Sequence, residues 1–180
     1  MKKVLNSTIL KLIAIIAMTF DHSASLIWGF NSHNPWAIVF HVIGRLTFPI
    51  MAYLIVEGYH HTRNPKKYAM RLFIFALISH IPYMFRSNDF ATYGWHCFIP
   101  FTTRTGVGRF INQTSVMWSY LMGLLMLIVR DTEKIKHKWV KYLLMALLCL
   151  AALPGNWSSV AALVILAIDT FKGKPWLQII

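Results

Sequence analysis

Apolar residues fall into six long runs, set apart by short polar or basic segments. The runs cover residues 8–28, 36–59, 68–85, 111–129, 139–153 and 157–171. A helix needs about 20 apolar residues to cross a bilayer, so the pattern predicts about six membrane spans. Backbone polar groups in lipid must be satisfied within the chain. The expected fold is therefore an all-α, polytopic transmembrane helical bundle, with one integral membrane domain over 1–180. The fifth and sixth runs are short. They read either as thin spans or as a re-entrant hairpin turning at Pro154-Gly155-Asn156. Residues 86–110 form a long polar connection rich in loop-forming residues, with Gly94, Pro100, Gly106 and Gly108.

Composition supports the membrane reading. The chain has 180 residues, 57% of them hydrophobic and only 13% charged, against about 25% charged in a soluble domain. Its net charge of +12 would suit a nucleic-acid partner. The basic residues instead lie in short loops between apolar runs, where they orient helices, so no nucleic acid is expected. With the N-terminus inside, the cytoplasmic segments hold Lys2, Lys3, Arg63, Lys66, Lys67, Arg71, Arg130, Lys134, Lys136, Lys138, Lys141, Lys172 and Lys174, while the other side holds Arg86, Arg104 and Arg109. That asymmetry predicts both termini in the cytoplasm and a multi-pass protein of the bacterial inner or plasma membrane. Met1-Lys2-Lys3 resembles the start of a signal peptide. The apolar stretch behind it is too long for one and carries Lys11, Asp21 and His22, so it reads as the first span. Cys97 and Cys149 give no disulfide or metal framework.

Several ionisable residues interrupt the apolar runs. A charged side chain at the centre of a membrane helix costs at least about 2.5–3.5 kcal/mol, so such residues are paired or functional. With a rise of about 1.5 Å per residue, Asp21 and His22 in the first span, Arg45 and His41 in the second and His80 in the third reach similar depths. Lys11 and Glu57 match in depth nearer the cytoplasmic side. The bland account is an Asp21–Arg45 ion pair that sets helix register, with Lys11 and Glu57 snorkelling to the boundary. The chemical account is acid–base catalysis, because histidine titrates near neutrality and a carboxylate raises its basicity and holds its tautomer. His22, His41 and His80 lack a metal-ligand spacing, and no metal is expected. His60 and His61 sit in a basic loop and read as solvated. Pro49 and Pro82 remove helix hydrogen bonds and predict kinks.

An ordered set of motifs runs from Leu10 to Tyr83. It contains Leu10-Lys11-Leu12-Ile13-Ala14, Asp21-His22, Gly44-Arg45-Leu46-Thr47-Phe48-Pro49-Ile50 and Glu57-Gly58-Tyr59. It continues with His61-Thr62-Arg63-Asn64, Lys67-Tyr68, Arg71-Leu72 and Ser79-His80-Ile81-Pro82. In this the chain resembles the TraX family of membrane proteins, with looser likeness around 115–123 and 155–160. His80 stands where the family usually has glutamine.

The resemblance implies a membrane acetyltransferase that uses acetyl-coenzyme A as co-substrate. It is distantly similar to the larger group of membrane acyltransferases, in which a basic residue precedes a catalytic histidine by eleven positions, as Lys11 precedes His22. By that likeness His22 is the general base, with Asp21 and Arg45 shaping the site. Lys11, Glu57, Arg63 and Arg71 lie toward coenzyme A, and His41, His80, Ser115 and Asn156 toward the acceptor. The acceptor is an amine or hydroxyl of a peptide, a pilin-like protein or an envelope glycan. The other expected partners are the lipid bilayer and a membrane partner or second copy. The alternative is a non-catalytic membrane protein, either a proton-coupled carrier or an interaction subunit, since buried Asp, Glu and His also serve proton relays.

Overall fold

The computed structural model describes residues 7–28, 34–86, 94–95 and 114–172. The polar connection 86–110 and its arginines fall almost wholly outside the described residues. The described residues hold helices and no named strand, in agreement with the all-α expectation. The helices are α1 (Ser7–Trp28), α2 (Pro35–Arg45), α3 (Thr47–His61), α4 (Pro65–Arg86), α5 (Val116–Asp131), α6 (Lys138–Ala151) and α7 (Ser158–Thr170). They form two compact units, Met1–Glu57 and Gly58–Ile180.

In the first unit, α1 packs against α2 through small residues. Ala14, Ala17 and Ala24 on α1 and Ala37 on α2 are buried, which lets the two backbones approach closely. Phe40 then fills the space beside Phe20 and Trp28, with ring centroids 5.1 and 5.8 Å away. The entry to α2 is capped by Asn34, whose side chain accepts from the Trp36 N–H at 2.9 Å, with Pro35 at the first helical position.

The predicted span 36–59 is divided at Leu46 into α2 and α3. Pro49 is the cause, since it has no N–H to give the Arg45 carbonyl four residues back. The chain tightens there through a Leu46 N–H bond to the Ile43 carbonyl at 3.1 Å. Thr47, just past the break, donates its hydroxyl to the Ala14 carbonyl at 3.1 Å and ties the start of α3 to α1.

In the second unit α5 is the central helix, with Tyr120, Leu121, Met122, Leu124, Met126 and Leu127 all buried. α5 and α7 run parallel, joined at their starts by a Thr114–Gly155 bridge and at their ends by an Arg130–Asp169 ion pair. Gly123 allows this packing, because a Cβ there would lie 2.7 Å from the Ile165 side chain and 3.1 Å from the Ala162 backbone. α6 runs antiparallel to α5. Lys141 near its start donates to the Arg130 carbonyl at 2.9 Å, and Trp118 donates to the Ala151 carbonyl at its end, at 2.8 Å. α4 begins at Pro65, three residues before the predicted span, because Asn64 caps it through the Lys67 N–H at 3.1 Å. α4 continues through Pro82, where a kink was predicted.

Two stretches, Ser7–Ala24 and Pro35–His61, are long and apolar enough to cross a membrane, and only 17% and 22% of their most apolar windows are buried. Leu12, Ile16, Trp36 and Val42 lie exposed along them. A core helix of a soluble protein would hide these side chains. The shorter apolar helix Ser158–Thr170 is α7.

Candidate functional site

Asp21 is the one carboxylate of the largely apolar helix α1, and the structure gives it an imidazole. His41 Nδ1 on α2 lies 2.7 Å from Asp21 Oδ1, with side-chain exposures of 23% and 30%. Gly44, three residues after His41 and on the same face of α2, makes the approach possible. A Cβ at that position would collide with the Asp21 side chain. With the carboxylate on Nδ1, that nitrogen carries the proton and Nε2 becomes the basic nitrogen of the ring. A carboxylate behind an imidazole fixes the ring and its tautomer, and Nε2 of His41 is itself buried.

His22 is half-buried on α1, turned about 100° from Asp21 as neighbouring helical residues are. Arg45 is exposed at the end of α2, one turn beyond His41. Lys11 is exposed on α1 and Glu57 is half-buried on α3. The first unit thus brings Asp21 and His41 together in a direct bond.

The remaining predicted site residues belong to the second unit. Ser115 Oγ lies 2.6 Å from Ser79 Oγ, and Tyr83 donates to Asn156 Oδ1 at 3.3 Å. Ser115 and Asn156 therefore both meet the part of α4 that carries His80, which is 4% exposed. Three residues far apart in sequence converge on one polar region where α5 and α7 begin. Arg63 and Arg71 are exposed, as are Lys66 and Lys67 between them. Among the described residues no group of three or more His, Cys, Asp or Glu side chains could hold a metal ion.

Sequence reasoning missed a second polar network at the opposite end of this unit. His60, expected to be solvated, bonds through Nε2 to Asp169 Oδ1, and Arg130 pairs with the other oxygen of Asp169. Arg130 also bonds Asp131 through Nε at 2.7 Å, and Tyr59 donates to Asp131 at 3.0 Å. Burial works to raise the Asp131 carboxyl, but the bonds from Arg130 and Tyr59 and the Arg130 charge outweigh it and hold the group below the ordinary carboxylate range. The bond to Asp131, acting against partial burial, pushes Arg130 further up. The signal for Asp169 was present in the sequence. It is a carboxylate inside the apolar run 157–171, the same anomaly that drew attention to Asp21.

The class that this fold defines is an all-helical protein of membrane type, with ionisable side chains paired along apolar helices. The profile described as "TraX protein" matches residues 6–177, and the chain belongs to the TraX family. It is also 34% identical over 149 residues to the "Probable fimbrial assembly protein FimC, serogroup H1" of Dichelobacter nodosus. That match takes in 82% of this chain and 55% of the relative, so the chain spans about half the length of the curated protein it resembles. No solved structure matches it.

Proposed function

We propose that this chain is a multi-pass membrane acetyltransferase, moving an acetyl group from acetyl-coenzyme A to an amine or hydroxyl of a peptide, pilin-like or envelope acceptor. The observation that carries the reading is the Asp21–His41 bond. It is a carboxylate-oriented imidazole, beside His22, on helices whose exposed surface is apolar. Family membership supports the reaction class, and the fimbrial assembly role in the relative's name supports a pilin-like acceptor.

In this reading a histidine of the Asp21 cluster takes the acceptor's proton as its nitrogen or oxygen attacks the thioester carbonyl. His22 holds that role by family likeness, and His41 has the geometry for it. Arg45 faces the charge that develops on the carbonyl oxygen. The carbon–sulfur bond breaks, and the imidazolium returns its proton to the departing thiolate. Arg63 and Arg71, with Lys66 and Lys67, have the exposed cationic chemistry that coenzyme A phosphates need. The bilayer crossing is by about six spans with both termini in the cytoplasm, as the thirteen-to-three sorting of basic residues favours.

The test is transfer from labelled acetyl-coenzyme A to candidate peptides by the purified protein. His22→Ala, His41→Ala, Asp21→Asn and Arg45→Ala are compared with wild type. Loss of about 10²–10⁴-fold in the general-base variant is expected. Full transfer by both His22→Ala and His41→Ala would sink the assignment.

A further inference from the structure

The starts of α5 and α7 lie side by side, and among the described residues no acidic side chain sits in either first turn. Because the two helices are parallel, their dipoles add rather than cancel. Each N-terminus carries about half a positive charge, so the shared end amounts to roughly one unit. Neither helix has an acidic residue in its first turn, and neither N-cap side chain bonds the helix N–H groups. The side chains placed to cap them are engaged elsewhere. Ser115, at the N-cap of α5, is bonded to Ser79, and the Asn156 carbonyl oxygen accepts from Tyr83. The described residues of this tip, 79–84, 114–119 and 151–159, include no Asp, Glu, Lys or Arg.

An independent observation points into the same place. Ser119, the fourth residue of α5, is 0% exposed. Its Oγ has no hydrogen-bond partner among the described residues. That oxygen lies against Gly155, in the turn that leads into α7, where any Cβ would collide with it. A buried hydroxyl without a partner costs about 1–3 kcal/mol, so its retention beside two uncapped helix starts calls for an acceptor.

Membrane depth strengthens the case. α6 has 14 residues and α7 has 13, lengths of about 21 and 20 Å against a hydrocarbon core of about 30 Å. In the topology proposed above, the tip between them stops short of the outer boundary, where helix dipoles are poorly screened. Paired half-helix N-termini at such depth are suited to anionic groups.

We propose that the tip formed by the starts of α5 and α7, with the Ser119 hydroxyl, binds a carboxylate-sized anionic oxygen group. The membrane setting rests on the proposed function, but anion binding can be read without any acetyl transfer.

The experiment is thermal unfolding of the full chain in neutral detergent, with sodium hexanoate, inorganic phosphate or phosphatidylglycerol added. Chloride at equal ionic strength and phosphatidylcholine are the controls. A saturable rise in Tm beyond the controls is expected. Ser119→Ala should weaken the apparent affinity by about fivefold, as loss of one hydrogen bond does. Ser115→Asp should abolish the response, because a carboxylate at the N-cap then occupies the pole. Ser115→Asn, neutral and able to cap, should keep at least part of it. A response to hexanoate or phosphate marks a small oxyanion as ligand, and a response to phosphatidylglycerol alone marks a lipid headgroup. Either outcome supports the site provided Ser115→Asp removes it. Shifts no larger than the controls, or equal in wild type and Ser115→Asp, would overturn the proposal.

Discussion

Asp21 on α1 and His41 on α2 are joined by a 2.7 Å hydrogen bond across twenty residues of sequence, beside a close approach at which any Cβ on Gly44 would collide with the Asp21 side chain. The bond gives a carboxylate on a largely apolar helix a partner and holds the imidazole in a defined tautomer. It also makes Gly44 as necessary to the site as the two partners are.

Gly44→Ala should therefore destabilise the first unit by about 1–3 kcal/mol, the range for overpacking a close contact. Transfer activity should fall with it, since α2 must shift away from Asp21. Thermal unfolding in detergent and the acetyl-transfer assay check the two effects separately. An unchanged Tm would show that α1 and α2 lie further apart than described.

Asp169 has a side chain only 5% exposed, held by Arg130 and His60. Removing one partner from a buried charge pair costs about 3–5 kcal/mol, because the other is left uncompensated. Asp169→Ala is expected to lower Tm substantially, and His60→Ala less so, because that ring is 39% exposed. Equal small effects from both would mean that the network is solvated.

The Asp131 carboxyl is more acidic folded than unfolded, so the folded state favours its charged form. Its contribution to stability is present above the ordinary carboxylate pKa. It is lost as pH falls through the lower folded value. Wild type should lose Tm faster than Asp131→Asn as pH drops from about 5 to about 3. Parallel curves for the two proteins would contradict the Arg130–Asp131–Tyr59 network.

Pro49→Ala restores the N–H that the Arg45 carbonyl lacks, and α2 and α3 should join into one continuous helix. Amide exchange over residues 46–50 should slow. Activity should drop if the break aims the end of α2. Unchanged exchange there would show that something other than Pro49 sets the break.

Ser79 and Ser115 should be coupled. The double change to Ala should cost less than the sum of the single changes by about 1 kcal/mol, the net worth of a buried hydrogen bond. Additive losses in unfolding measurements would separate the two hydroxyls.

The apolar runs alone indicated helices over nearly the observed ranges, and Pro49 was legible as a point of breakage. The sign and spacing of the basic residues argue for an orientation by themselves. These are local properties, in which length, hydropathy and a missing N–H act within a few residues of themselves. Asp21 and His22 stood out for the same reason, a charge where lipid is expected. What only the tertiary structure decided is who meets whom. Depth along a helix was readable from residue counting, but rotation about the helix axis was not. That rotation gives Asp21 its bond to His41 and leaves Arg45 exposed. The parallel pairing of α5 and α7 was equally hidden, because it depends on Gly123 admitting Ile165 and on Arg130 reaching Asp169 across 39 residues. Sequence determined which side chains are too polar for their surroundings, and packing decided which of them answer one another.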